Sequence, residues 1–199
     1  MNHPDDNLIL DLENFADTDP VINCENVFGN SDDVEVEIGI GKGRFLIDAA
    51  RRNPRTNFFG IERASKYLRI AQDRCLKRGL KNVRLIRADA REFIEFFLPA
   101  KSIQAYHLYF PDPWPKKRHH KRRLVNQDFV SEIERTLVTN GRFWLATDHS
   151  EYFHFILEVL ALFPSLREVD VEWTGIPTNY EEKFQGRGLL INRRVVERT

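Results

Sequence analysis

The sequence predicts an α/β protein with a mostly parallel sheet, and three observations carry that prediction. From residue 34 onward, apolar strand-like runs alternate with longer amphipathic stretches, the pattern left by βαβ units. The first run passes directly into a glycine turn, Gly39, Gly41 and Gly43. The last two long runs have no helical stretch between them, so they are expected to pair as neighbours, one of them antiparallel to the rest.

Taken in order, the strand candidates are VEVEI (34–38), NFFGI (57–61), VRLIR (83–87), IQAYHLY (103–109), GRFWLAT (141–147), LREVDVEW (166–173) and GLLINRRVV (188–196). Helical stretches fall between the first six, at about 43–53, 63–79, 91–97, 125–139 and 150–162. Ahead of them lies a leader, residues 1–33, that lacks strong periodicity and contains HPDD, DTDP and GNSDD. It is expected to be loosely ordered, with a short helix near Leu8 to Phe15. The folded domain is expected to occupy residues 34–199.

With 199 residues, 42% of them apolar and 12% aromatic, the chain has enough material for one sizeable core and hence one domain. No run approaches the roughly 18 apolar residues of a membrane span, and MNHPDDNLILDLEN has neither the basic end nor the small-residue site of a signal peptide. A cytosolic protein without membrane association is expected. Cys24 and Cys75 stand alone in the sequence, which points to packing or surface thiols and to neither a disulfide nor a bound metal. The formal net charge is zero, yet the first cationic residue is Lys42 and eleven of the 30 acids precede it. The body from residue 42 therefore carries a surplus of cations and would attract a polyanion.

The turn EIGIGKGRF places glycines between the first strand and the following helix, where a ligand can approach the backbone. GIGKG does not spell the dinucleotide pattern GxGxxG. About twenty residues on, the second strand ends in Glu62, where an acid can accept both hydroxyls of an adenosine ribose. The third strand ends in RADA, placing Asp89 and Ala90 where an adenine amino group and ring nitrogen could be read. Each acid has a plainer role open to it, since strand-end acids often cap the next helix. Together Glu37, Glu62 and Asp89 describe a nucleoside site without a phosphate grip at the carboxyl edge of the sheet. S-adenosylmethionine fits such a site, because acids favour its sulfonium and amino group where they would repel a pyrophosphate.

The fourth strand leads into PDPWPKKRHHKRRL, residues 111–124. Phe110 and Trp114 can wall a planar base, and Pro111, Pro113 and Pro115 stiffen the loop around Asp112. A carboxylate there can accept two parallel hydrogen bonds, and guanine offers two adjacent donors, N1–H and the 2-amino group. Six Lys or Arg with His119 and His120 follow, residues 116–123, suited to the phosphates around such a base. A merely solvated charged loop is the plainer reading.

The sequence resembles the tRNA (guanine-N7)-methyltransferases, most closely their single-subunit bacterial members. The likeness runs from about Asn26 to the C-terminus through NVFGN, EIGIGKG, GIE, ADA, PDPWPKKRHHKRRL, ATDH and TNYEEKFQGRG. It implies a Rossmann-like class I methyltransferase, with a seven-stranded mostly parallel sheet, helices on both faces and an antiparallel last strand. It implies donor contacts at Glu37, Gly39, Gly41, Glu62, Asp89, Ala90 and Asp112, with Asp112 catalytic. Base or tRNA contacts are implied at Lys116, Asp148, Thr178, Asn179, Tyr180 and Glu181, and along Arg118, His119, His120, Lys121, Arg122 and Arg123. The acidic leader departs from the family, whose members often carry basic residues before the first strand.

What the resemblance implies is methylation of a variable-loop guanine in tRNA, by a monomer or homodimer without an obligate protein partner. Guanine N7 would attack the methyl carbon in line while the sulfonium leaves as a neutral thioether. N7 has a free lone pair and loses no proton, so the transfer requires no general base. Positive charge moves onto the purine, where Asp112 and Asp148 could stabilise it. Two other readings stay open: an adenine-N6 methyltransferase, whose doubled proline PDPW lacks, and a non-catalytic RNA-binding module with a residual donor site.

Overall fold

The computed structural model describes residues 8–13, 20–173 and 190–199. Among them, eight strands form one sheet: β1 (Ile9–Leu10), β2 (Val34–Ile38), β3 (Asn57–Ile61), β4 (Val83–Ile86), β5 (Ile103–Tyr109), β6 (Leu137–Thr147), β7 (Leu166–Glu168) and β8 (Asn192–Arg198). The α-helices are α1 (Cys24–Phe28), α2 (Arg44–Arg52), α3 (Ser65–Leu76), α4 (Ala90–Phe97), α5 (Gln127–Thr136) and α6 (Ser150–Leu160), and Lys117–Arg122 forms a 3-10 helix. The strand order is β1-β4-β3-β2-β5-β6-β8-β7. All neighbours are parallel except β8, which runs antiparallel to both β6 and β7.

The alternation of β2 shows how the layers arise. Val34, Val36 and Ile38 enter the larger apolar cluster on one face, with Phe93 and Ile94 of α4, Phe129, Val130 and Ile133 of α5, and Tyr152 and Ile156 of α6. The opposite face packs Leu46, Ile47 and Ala50 of α2 and Leu68, Ala71 and Cys75 of α3 against Phe58, Val83 and Leu85. Helices thus cover both faces, as expected. Close contact between α2 and β3 depends on Gly60, because a Cβ there would lie 2.6 Å from the Leu46 side chain.

Four elements differ from the sequence reading. Ile9–Leu10 is not helical but adds an eighth strand in parallel to β4. Leu8, Ile22 and Phe28 are buried, so the described part of the leader is tied into the core. β6 starts at Leu137, inside the segment expected to be helical. Asn140 there takes a left-handed φ of 63°, and the register with β5 slips between Ile103 and Ala105, so extra residues are absorbed before regular pairing. β7 is cut to Leu166–Glu168, and residues 169–173 lie outside any strand. β8 runs from Asn192, so residues 190–191 of the expected strand 188–196 lie ahead of it, and 188–189 are outside the described residues.

Both thiols are free, and burial pushes Cys24 up to about 11 and Cys75 up to about 12, which keeps them protonated as packing groups. No helix among the described residues is long and apolar enough to cross a membrane.

Candidate active site

β2 leads to β3 on one side of the sheet while β5 lies on its other side, so strand order reverses between β2 and β5. Open α/β sheets bind ligands at such a reversal, outside the carboxyl ends of the strands. A cleft of about 1310 Å³ opens there. Glu37, Gly39, Gly41, Glu62, Asp89, Ala90 and Asp112 all line it, so the whole expected donor set converges on one cavity.

Gly39, Gly41 and Gly43 take φ values of 74°, 52° and 72°, a region open to glycine at little cost. The turn is fixed by the Gly39 and Ile40 N–H groups, which donate to the Ile61 carbonyl at 2.9 and 3.2 Å. Glu62 clasps it from the side: its two carboxylate oxygens accept from the Gly41 N–H at 3.0 Å and the Ala64 N–H at 2.8 Å. A carboxylate has about four acceptor positions, so two remain for ribose hydroxyls.

Glu37 is buried beneath this turn. Its carboxyl faces the Leu46 backbone, while Oε2 has no hydrogen-bond partner among the described residues. Burial pushes its pKa up to about 8; the Leu46 hydrogen bond opposes that rise and the nearby Glu62 charge adds to it. A buried, partnerless carboxyl oxygen on a cleft wall suits a cationic ligand, and a sulfonium compound with an ammonium group supplies one. Asp89 performs the plainer role as well: it caps α4, accepting from the Arg91 N–H at 3.0 Å, and its other oxygen faces Arg63 at 3.4 Å.

The PDPWP loop closes the cleft after β5. Phe110 and Trp114 both take left-handed φ values, 54° and 43°, conformations costly for bulky side chains and concentrated at functional sites. The Phe110 N–H donates to the Ala146 carbonyl at 2.7 Å, which ties the loop to β6. Asp112 is exposed on the cleft. The Arg122 guanidinium lies over the Trp114 ring at 5.0 Å, with the His119 ring edge-on at 5.9 Å. Lys116, Lys117, Arg118 and Lys121 are exposed around them.

Arg123, expected among the RNA-contacting cations, is instead buried. Its Nε donates to the Pro113 carbonyl at 3.0 Å, and its Nη2 meets His120 at 3.1 Å and Glu151 at 2.5 Å. The guanidinium also rests on the rings of Tyr152 and Phe155. Buried, with Nε and Nη2 engaged inside the protein, it holds the loop to α6 and is not available to a phosphate. Arg91 supports the same junction, donating to the carbonyls of Arg123 and Leu124. Sequence reasoning missed both Arg91 and Glu151; the i, i+2 step from Asp89 to Arg91 is the one local signal that placed either near the site.

Asp148 is exposed just beyond the end of β6 and is not on the cleft wall. Thr178, Asn179, Tyr180 and Glu181 lie outside the described residues. A further group went unread: His107, buried, bonds Glu35 at 2.9 Å and the Tyr109 hydroxyl at 2.8 Å, beneath the cleft-lining Tyr109 and Phe45. The alternation in IQAYHLY, which puts His107 and Tyr109 on one face, was its signal.

The family model described as "Putative methyltransferase" matches residues 31–193. A tRNA (guanine-N(7)-)-methyltransferase of Geobacillus kaustophilus is 38% identical over 174 residues, 84% of this chain and 80% of that protein. Another of that name from Listeria welshimeri is 39% identical over 176 residues, 85% of this chain and 82% of that protein. Among solved structures, TrmN from Thermus thermophilus superposes with a TM-score of 0.60 at 21% identity, over 83% of this chain and 44% of that one, a likeness of fold. Cleft, motifs and these relatives agree, and the chain belongs to the tRNA (guanine-N7)-methyltransferase family.

Proposed function

We propose that the protein transfers a methyl group from S-adenosylmethionine to N7 of a guanine in tRNA, giving 7-methylguanosine in the variable loop, and that it acts in the cytoplasm. The observation that carries this reading is the single cleft on which the acids Glu37, Glu62, Asp89 and Asp112 converge, with the cationic 3-10 segment on its rim. When bound, S-adenosylmethionine supplies an electrophilic methyl group on a sulfonium.

Glu62 takes the ribose hydroxyls with the acceptor positions left by Gly41 and Ala64. Glu37 faces the cationic methionyl end through its partnerless oxygen. The Ala90 backbone and Asp89 stand at the adenine. Asp112, held between two prolines, accepts from the guanine N1–H and 2-amino group and so fixes the ring. The carboxylate also offsets the positive charge that arrives on the purine, and because N7 carries no proton, no residue has to remove one. Lys116, Arg118, Lys121 and Arg122 hold phosphates around the base, with His119 and His120 packing the segment, and Asp148 and the stretch Thr178–Glu181 complete the base side. Positioning supplies much of the rate.

The test is incubation of unmodified tRNA with labelled donor, followed by mapping of the modified base. Label at guanine N7 is expected. Label at adenine N6, or no transfer by a folded protein that binds tRNA, would refute the proposal.

A further inference from the structure

The 3-10 segment accounts for only part of the cationic surplus of this chain. Between residues 63 and 87 the sequence has nine Lys or Arg and a single acid, Asp73. These residues build α3 and its flanks on the side of the cleft opposite the PDPWP loop, since β3 and β5 flank β2. Leu68, Ala71 and Cys75 face the core, which turns Lys66, Arg69 and Lys77 outward and leaves Arg78 exposed beside them. Asp73 is paired with Lys77 at 2.8 Å. Among the described residues Lys66, Arg69 and Arg78 have no ion-pair partner.

The patch is continuous with the site. Lys42, Arg63 and Arg74 line the cleft, and the Arg74 guanidinium donates to the Lys42 carbonyl at 3.0 Å, joining the glycine turn to α3. Tyr67, 41% exposed, lies on the same wall, an aromatic surface of the kind on which a base can stack. A polyanion entering between the two rims therefore meets cations on both.

We infer that the outer face of α3 and the turn that follows it, through Lys66, Arg69 and Arg78, is a second RNA-docking surface, so that tRNA straddles the donor cleft. This rests on the tRNA-methylating reading above, which it extends to the rim that the PDPWP motif does not reach. The cations here act on phosphates and carry affinity and orientation, not base choice.

The test replaces all three, Lys66→Ala, Arg69→Ala and Arg78→Ala, and measures binding of unmodified tRNA across a salt series without donor. Loss of three phosphate contacts should flatten the log–log salt slope by about 2.1 to 2.7. Between about 50 and about 200 mM salt the wild-type affinity should then fall roughly 20- to 40-fold more than that of the variant. Donor affinity and melting temperature should stay as in the wild type. A folded variant with the wild-type slope and affinity overturns the inference, and charge reversal by Lys66→Glu with Arg69→Glu should deepen the loss if the inference holds. Failure of the activity reading shows separately, as wild-type protein that leaves guanine N7 unmethylated, because the binding series needs no turnover.

Discussion

Arg123 and Glu151 pair at 2.5 Å across the junction of the PDPWP loop and α6, with the arginine side chain 1% exposed and the glutamate 55% exposed. The pair is thus one-sided: removing the arginine empties a buried site, whereas the glutamate stays in water. Arg123→Ala should cost about 3 kcal/mol, because removing a large buried side chain leaves a cavity and takes the donor from the Pro113 carbonyl. In a chain of this size that lowers the melting temperature by about 6 to 12 °C. Arg123→Lys should also melt early, because a lysine lacks the planar fork that serves Pro113, His120 and Glu151 together. Glu151→Gln should be close to neutral. Thermal melts check all three, and a stable Arg123→Ala with a flattened tRNA salt slope would return Arg123 to the RNA surface.

Asp112 is exposed on the cleft between residues held in strained conformations, a rigid placement that a positioning and charge-stabilising group needs. Asp112→Ala should lower single-turnover methylation by at least about a hundredfold, the loss seen when a preorganised polar group at a reacting centre is removed. Its melting temperature should be unchanged. Rapid-quench measurement with saturating donor decides it, and near-normal turnover would take Asp112 out of the chemistry.

Glu62 holds Gly41 and Ala64 as well as the proposed ribose. Glu62→Ala should weaken donor binding by about 1.5 to 3 kcal/mol, or roughly 10- to 150-fold. Calorimetry that finds the wild-type affinity would remove Glu62 from the ribose.

Burial raises Glu37 from its ordinary value of 4.5 to about 8. Between those values the unfolded chain gives up the proton and the folded protein keeps it, so the stability contributed by the protonated group is full below 4.5 and lost as pH rises through about 8. The unliganded protein should therefore melt at falling temperature across that window, and Glu37→Gln should flatten the decline. A cation bound beside Oε2 favours the carboxylate, so donor binding near about pH 7 should release a proton. Calorimetry in buffers of different ionisation heat will show it, and Glu37→Gln should abolish the release.

The βαβ order was legible because strand alternation and the glycine turn are local signals, and the cleft acids were legible because they sit at strand ends. β1 was not: two apolar residues in an acid-rich stretch become a strand only when β4 offers them an edge. The burial of Arg123 was equally hidden, since in a run of like cations nothing local separates it from Arg122. Its partners Glu151 and Tyr152 lie 28 and more residues away and meet it only in the folded protein. The early start of β6 was hidden too: the chain turns extended at Leu137, φ −63° and ψ 139°, inside a stretch whose apolar spacing would have continued the helix.

The Leu8 carbonyl accepts from the Leu85 N–H at 2.8 Å, and Ile9 and Leu10 pair with Leu85 and Ile86. This short strand occupies the one side of β4 that β3 leaves open. An uncovered strand edge is a template for pairing with another chain, and β4 is the sequence VRLI, three of whose four residues are buried and apolar. Trimming the chain before Leu12 would thus turn the outer border of the sheet into an adhesive one. The product to expect is a protein that self-associates through β4 as its concentration rises and that loses donor affinity with it, because Asp89 and Ala90 run from the end of β4 straight onto the cleft wall.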